Sequence, residues 1–330
     1  MIVAISIDGM DFNLIRKYID SGKLPNIKGL EEKGVYGKTP HKLVTNEAMG
    51  WTVFSTGQNM GESGIWDEYY RKDSSKHIPD TKADSKSIGI ETLTTYLPKN
   101  GQVAVFINNP LMDPPPVVHS GFCVSENEDE DNIIKDTWPK DYKNVLKDKL
   151  ALKGEKIGLD EELEKKVKDD INFEIVHHFI KDYWIKDQTP DLILVNIDGI
   201  RKIHEHYYKK SRDDAGKSNS GLDKAVEKYY GFVDKKIGEV LSLLDKEDSL
   251  LIFSPSSMQQ PKGFINLNRW LLDNGYLVLK DKAEGKNDIT EDSVDWEKTK
   301  VWSVGNCGQI YINLEGKEEN GTVKEEEYIE

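Results

Sequence analysis

The chain has 330 residues, with 45 Lys and Arg against 59 Asp and Glu, giving a net charge of −14. A hydrophobic content of 37% suffices for a sizeable core and excludes a disordered chain. The acidic balance excludes a nucleic-acid binder, which needs a basic stripe, and an electrostatic hold on anionic lipid.

The length predicts two domains, or one large α/β domain with an insertion. Two cysteines, Cys123 and Cys307, cannot build a disulfide framework or a Cys-rich zinc site, and they fit a reducing compartment. The start MIVAISIDGMD lacks the basic and long apolar regions of a signal peptide. No run approaches the roughly 20 apolar residues of a membrane span. The sequence therefore predicts a soluble, cytoplasmic protein.

Met1 to Ile7 reads as a buried strand ending at Asp8-Gly9. Phe12, Leu14, Ile15, Tyr18 and Ile19 recur at helical spacing over 11–21, with Gly22 as the cap. A second helix follows from Ile27 to Lys33, and another begins near Asn46 and runs through WTVFSTG. Residues 88–97 read as helix, 103–107 as a short strand, and MDPPPVV as a rigid extended connection. From 126 to 188 the composition turns acidic and then rich in Lys and Glu, which predicts a solvated helical insertion. The run LILVNI is a strand ending at Asp198-Gly199. Residues 222–244 carry the cleanest amphipathic stripe, including Leu222, Val226, Tyr229, Val233 and Ile237. Strands are expected at 250–253, 276–279 and 301–314, with a helix over 264–274.

Three apolar strands thus end in polar loops, at Asp8, Asp198 and Ser254. In an open α/β sheet a ligand binds beyond such carboxyl ends. The expected site lies where these loops meet the helix N-terminus near residues 45–47.

Five blocks, taken in order, carry a resemblance. They are IDGMDFNLIRKYIDSGKLPNIKGLEEKGVYGKT, WTVFSTGQNMGESGIWD, INNPLMDPPP, GFINLNRWLLDNGYL and VWSVGNCGQIYINLEGKEENGTV. Together they resemble the type I phosphodiesterase/nucleotide pyrophosphatase branch of the alkaline phosphatase superfamily. The resemblance implies an α/β, alkaline-phosphatase-like three-layer sandwich with a mainly parallel central sheet. Residues 1–125 and 189–330 would form its core and 126–188 a helix-rich insertion. It also implies a hydrolase whose two metal ions clamp the attacking and leaving oxygens of an in-line displacement.

Matched position by position, the implied metal and nucleophile set is broken. Asp8 matches the first metal ligand. Glu47 stands at the nucleophile position, where it brings a negative charge to the place of the phosphate. Thr45 could serve instead if the loop carries a two-residue insertion; otherwise its hydroxyl reads as a helix cap. In the Asp-x-x-x-His segment, either Asp198 is kept and Lys202 replaces the histidine, or His204 is kept and Ile200 replaces the aspartate. After LLIF the family reads Ser-Asp-His-Gly, whereas this chain has Ser254-Pro255-Ser256-Ser257, so Pro255 and Ser256 replace two ligands. The chain stops at Glu330, before the family's final histidine.

The sequence therefore predicts a pseudoenzyme of this superfamily, acting in binding or scaffolding, with no cofactor. The partner would be a protein or a phosphorylated small molecule, not nucleic acid or membrane. One alternative is a diverged phosphodiester or nucleotide hydrolase holding one zinc or manganese ion through Asp8, Asp198 and His204. Another is a subunit of a larger assembly. His177 and His178, adjacent on a helix and so facing about 100° apart, read as packing residues. Asp67 with Trp66, Tyr69 and Tyr70 could line the family's substrate cleft, the aromatics stacking a base or sugar; the favoured reading of these aromatics is cover for the core.

Overall fold

The run Ile2–Ile7 forms strand β1, whose side chains from Val3 to Ile7 are all buried. The computed structural model describes residues 1–39, 46–72, 75–112, 114–126, 134–150, 155–181, 189–213, 220–258, 263, 265–280, 289–305 and 308–328. In chain order, β1 is followed by α1 (Phe12–Asp20), α2 (Pro25–Lys33), α3 (Glu47–Thr56) and α4 (Met60–Ser63). Two short strands, β2 (Tyr69–Tyr70) and β3 (Thr81–Lys82), precede α5 (Leu93–Lys99). Then come β4 (Ala104–Ile107), β5 (Gly121–Glu126), β6 (Ile134–Trp138), α6 (Tyr142–Lys149), α7 (Glu161–Lys166) and α8 (Asp169–Lys181). The remainder is β7 (Leu192–Ile197), α9 (Gly199–Asp213), α10 (Ser220–Leu241), β8 (Ser249–Phe253), α11 (Leu267–Asp273), β9 (Val301–Ser303) and β10 (Ile310–Ile312).

By contacts the chain divides into two units. One is Met1–Gly64 with Asp84–Gln259, and the other is Ile65–Ala83 with Gln260–Glu330. In the first, six strands pair in the order β6-β5-β4-β7-β1-β8, parallel except for β5 with β6. Successive strand residues face opposite sides, and the cores follow that alternation. Val3, Ile5, Ile193, Val195 and Val105 pack with Ile19 of α1, Ile27 of α2, Phe173 of α8, Ile203 of α9 and Val233 of α10. Ala4, Leu194 and Phe106 face the other way, against Trp51 and Phe54 of α3 and Leu93 and Leu97 of α5. The result is a three-layer α/β unit with a mainly parallel sheet. Leu146, Leu163, Phe173 and Phe179, from the stretch expected as an insertion, belong to the same core as Val3 and Ile5.

Local chemistry sets several boundaries. α3 is capped by Asn46, whose Oδ1 accepts from Met49 N at 2.9 Å; Thr45 lies outside the described residues. The helix expected over 88–97 starts only at Leu93; upstream of it Asp84 Oδ1 accepts from the backbone of Lys86 and Ser87 and holds a turn. α2 has no cap of its own; Asp234 on α10 supplies one, accepting from Asn26 N at 3.2 Å and Ile27 N at 2.9 Å. The strand expected at 276–279 is reduced to one bridge between Leu279 and Val294.

The second unit packs Leu271, Leu277, Trp296 and Trp302 into a core of its own. His77 stacks on Trp296 at 3.9 Å and its Nδ1 meets Glu291 at 2.7 Å. Trp66 and Tyr69 are exposed rather than covering a core, and Asp67 accepts from Gln309 Nε2 at 2.9 Å. Among the described residues no helix is long and apolar enough to cross a membrane.

Candidate functional site

The carboxyl ends of β1, β7 and β8 converge with the first turn of α3, as the strand pattern predicts. β1 lies between β7 and β8, so the loops after Ile7, Ile197 and Phe253 are neighbours. Gly9 makes the turn after Asp8 with φ +79°, and a Cβ there would stand 2.7 Å from Met258. Gly9 bridges Ser257, and Met258 N donates to Gly9 O at 3.1 Å. On α3, Gly50 leaves room for the Pro255 carbonyl, which a Cβ would meet at 2.9 Å.

Asp198 occupies the joint between β7 and α9. The orphan amides at the start of α9 are satisfied from α8: Asp169 accepts from Asp198 N at 3.2 Å and Gly199 N at 2.9 Å, and also from the Tyr229 hydroxyl. Burial, and then the charge of Asp198, raise the Asp169 carboxyl to about 6, while Lys202 and the Tyr229 hydrogen bond pull against them. Because the helix begins immediately, Arg201 and Lys202 stand three and four residues beyond Asp198, on its face of α9.

These two cations occupy the site. Asp8, fully buried, accepts from Arg201 Nε at 2.9 Å through Oδ2 and from Ser256 Oγ at 2.5 Å through Oδ1. Arg201 Nη2 donates to Asp198 Oδ2 at 2.8 Å, and Lys202 Nζ pairs with Asp198 Oδ1 at 2.9 Å. Arg201 Nη1 reaches Glu205 at 3.1 Å, and Glu47 lies 3.6 Å from Arg201 Nε. Burial works against the guanidinium's charge, but Glu47, Asp198, Glu205 and Asp8 more than offset it and hold its proton firmly. Burial, then the charge of Asp8, raise the Glu47 carboxyl to about 8, with Asp198 adding to the rise and Arg201 opposing it.

The structure thus brings Asp8, Glu47, Asp198, Lys202 and Ser256 together with Arg201. Pro255 serves as a packing contact on α3. His204 lies six residues past Asp198, nearly two turns on, which puts it on a different face of α9. It is buried, which lowers its pKa against the opposing charge of Asp11. His206 faces α7, with Nε2 3.2 Å from Asp160. His178 packs in the core and its Nε2 meets the Tyr142 hydroxyl at 2.7 Å. Sequence reasoning missed Arg201, although a basic pair three and four residues after a strand-end aspartate on a helix is a readable signal. It also missed Asp169, which is far from the site in sequence.

Residues 2–329 match type I phosphodiesterase / nucleotide pyrophosphatase. The chain belongs to that family. A crystal structure of phosphonoacetate hydrolase from Sinorhizobium meliloti 1021, in complex with phosphonoacetate, aligns with a TM-score of 0.55 at 16% identity. The alignment covers 82% of this chain and 61% of that one, so the chain spans less than two thirds of its length. At that identity the likeness is one of fold, and with the family match it gives an alkaline-phosphatase-like α/β architecture. No curated protein matches the chain.

The family resemblance brings with it a two-metal centre, and the residues present do not fit one. Both carboxylate oxygens of Asp8 and both of Asp198 are engaged by side chains of this chain. The side chains of Lys202 and Pro255 offer no ligand atom at neutral pH, and the Ser256 hydroxyl is turned to Asp8. Among the described residues no group of three or more His, Cys, Asp or Glu side chains is arranged to hold a metal ion. What the arrangement does is neutralise the two aspartates with the chain's own cations.

Proposed function

We propose that this chain is a catalytically silent member of the type I phosphodiesterase/nucleotide pyrophosphatase family, a cytoplasmic pseudoenzyme acting in binding or scaffolding. The observation that carries this reading is the Arg201 guanidinium, which bridges Asp8 and Asp198 at 2.9 and 2.8 Å. A divalent ion would have to displace a half-buried guanidinium that is hydrogen-bonded to Asp8, Asp198 and Glu205. Phosphoryl-transfer chemistry of this type works by clamping charge with metal ions, and here that charge is spent within the fold. Glu47 adds a carboxyl group where a nucleophile would need to attack. The protein's role then lies in what it holds, a protein partner or a phosphorylated small molecule.

The test is an assay of purified protein with p-nitrophenyl phosphodiester and monoester substrates, with zinc or manganese added. The reading predicts no turnover above that of an Asp8→Ala variant. Turnover that EDTA abolishes, and that Asp8→Ala lacks, would favour a diverged one-metal hydrolase instead.

A further inference from the structure

A groove of about 680 Å³ opens in the first unit at the C-terminal end of α3. Its walls come from the last turn of α3, from Glu62 on α4, and from residues 90–93 with Tyr96 on α5. That volume lies within the roughly 300–1,000 Å³ of small-molecule sites. Phe54, Ile90 and Leu93 supply its apolar lining, and Tyr96, which is 51% exposed, adds an aromatic ring.

The charge on these walls has one sign. Glu62 and Glu91 line the groove, and none of its described lining residues is Lys, Arg or His. Glu62 makes no side-chain hydrogen bond or ion pair among the described residues. Glu91 pairs with Lys99, which is exposed and stands outside the lining. The helix end adds to the same sign, because the C-terminus of a helix carries the negative end of its dipole. Gly57 N donates to Val53 O at 2.9 Å and Gln58 N to Thr56 Oγ1 at 3.1 Å, so neither amide is left for an anion. An exposed aromatic face likewise attracts a cation. Carboxylates, helix end and ring therefore favour the same kind of ligand.

We propose that this groove is a binding site for a small organic cation, a primary ammonium group on a single-ring or short apolar body. The ammonium would donate to Glu62 and compete with Lys99 for Glu91, while the apolar body covers Phe54, Ile90 and Leu93. A carboxylate or phosphate is repelled by the same walls, and a neutral molecule forgoes their attraction. The site is separate from the Arg201 network: Thr56 lies nine residues beyond Glu47 on α3, roughly 13.5 Å along the axis. The inference therefore goes beyond the silent-site reading, and the two can fail independently.

Benzylammonium and benzyl alcohol are the probes, since they share ring and size but only the first is charged. Binding is followed on the full ¹⁵N-labelled chain by NMR of the backbone amides. Benzylammonium should shift Gly57, Thr92 and Leu93 saturably at millimolar concentration. At low salt it should bind about tenfold more tightly than benzyl alcohol, a preference that shrinks in 0.5 M sodium chloride, where the Debye length falls to about 4 Å. Glu62→Gln should weaken benzylammonium about threefold to fivefold, the weight of one exposed ion pair. Lys99→Gln, which frees Glu91, should tighten it. Both side chains are exposed, so neither change disturbs the core. The proposal is overturned if benzyl alcohol binds wild-type protein as tightly as benzylammonium, or if Glu62→Gln binds benzylammonium as wild type does. Shifts scattered over the acidic surface without saturation at the groove would overturn it as well.

Discussion

Arg201 donates from Nε to Asp8 Oδ2 at 2.9 Å, tying the first turn of α9 to the end of β1. Asp8 is wholly buried, so this cation and the Ser256 hydroxyl take the place of its water. Removing one partner of a buried pair leaves the other uncompensated, which costs more than the pair itself contributes. Arg201→Met should lower unfolding stability by about 2–4 kcal/mol, somewhat below the fully buried case because the guanidinium is partly exposed. Arg201→Lys should recover only part, since an ammonium cannot span both Asp8 and Asp198 as a fork does. Urea unfolding with an unchanged m-value checks both; a loss below about 0.5 kcal/mol for the Met variant would show the pair to be incidental.

Glu47 makes the site pH-sensitive in a defined direction. Its carboxyl rises from 4.5 to about 8, first through burial and then through Asp8. A carboxyl group raised in the folded state contributes stability that is fully present below its unfolded pKa and lost as pH climbs through the folded one. Glu47→Gln keeps a neutral side chain at every pH. Relative to wild type, the variant should gain stability steadily from about pH 5 to pH 8 and level off above that. A difference independent of pH, measured by thermal unfolding across that range, would mean Glu47 is ionised in the fold.

Two glycines at helical positions should respond oppositely to alanine. At Gly231 in α10 a Cβ would meet nothing within 4 Å, so Gly231→Ala should follow helix propensity and stabilise by about 0.5–1 kcal/mol. At Gly199 a Cβ would stand 2.2 Å from the Tyr229 ring and 2.6 Å from Asp169 Oδ2. Gly199→Ala should cost about 3 kcal/mol or more, as overpacking at the α9 joint outweighs propensity. Chemical denaturation of the pair is the check, and equal signs would contradict the close approach.

What the sequence makes legible follows from which signals are local. The strands Ile2–Ile7 and Leu192–Ile197 are readable because central parallel strands are apolar throughout. The stripe through Leu222, Val226, Tyr229 and Val233 marks α10 for the same reason, since one face meets the core. β5 and β6 escape such a reading because Gly121 to Glu126 and Ile134 to Trp138 mix polar and apolar residues at the sheet's antiparallel edge. At the site, the family pattern points to Asp8, Glu47, Asp198, Lys202 and Ser256, and the structure gathers them. Arg201 escapes because a ligand-by-ligand comparison looks for lost donors, not for a cation gained between them. The Asp169 cap on α9 and the Asp234 cap on α2 join residues far apart in the chain, and no local pattern announces them.

The central claim is that Arg201 and Lys202 stand where metal ions would otherwise neutralise Asp8 and Asp198. Elemental analysis tests it most directly, on purified protein incubated with zinc or manganese and then freed of unbound metal. The account predicts far less than one ion per chain, unchanged in Asp8→Ala. One or two ions retained per chain, and lost in both Asp8→Ala and Asp198→Ala, would contradict it.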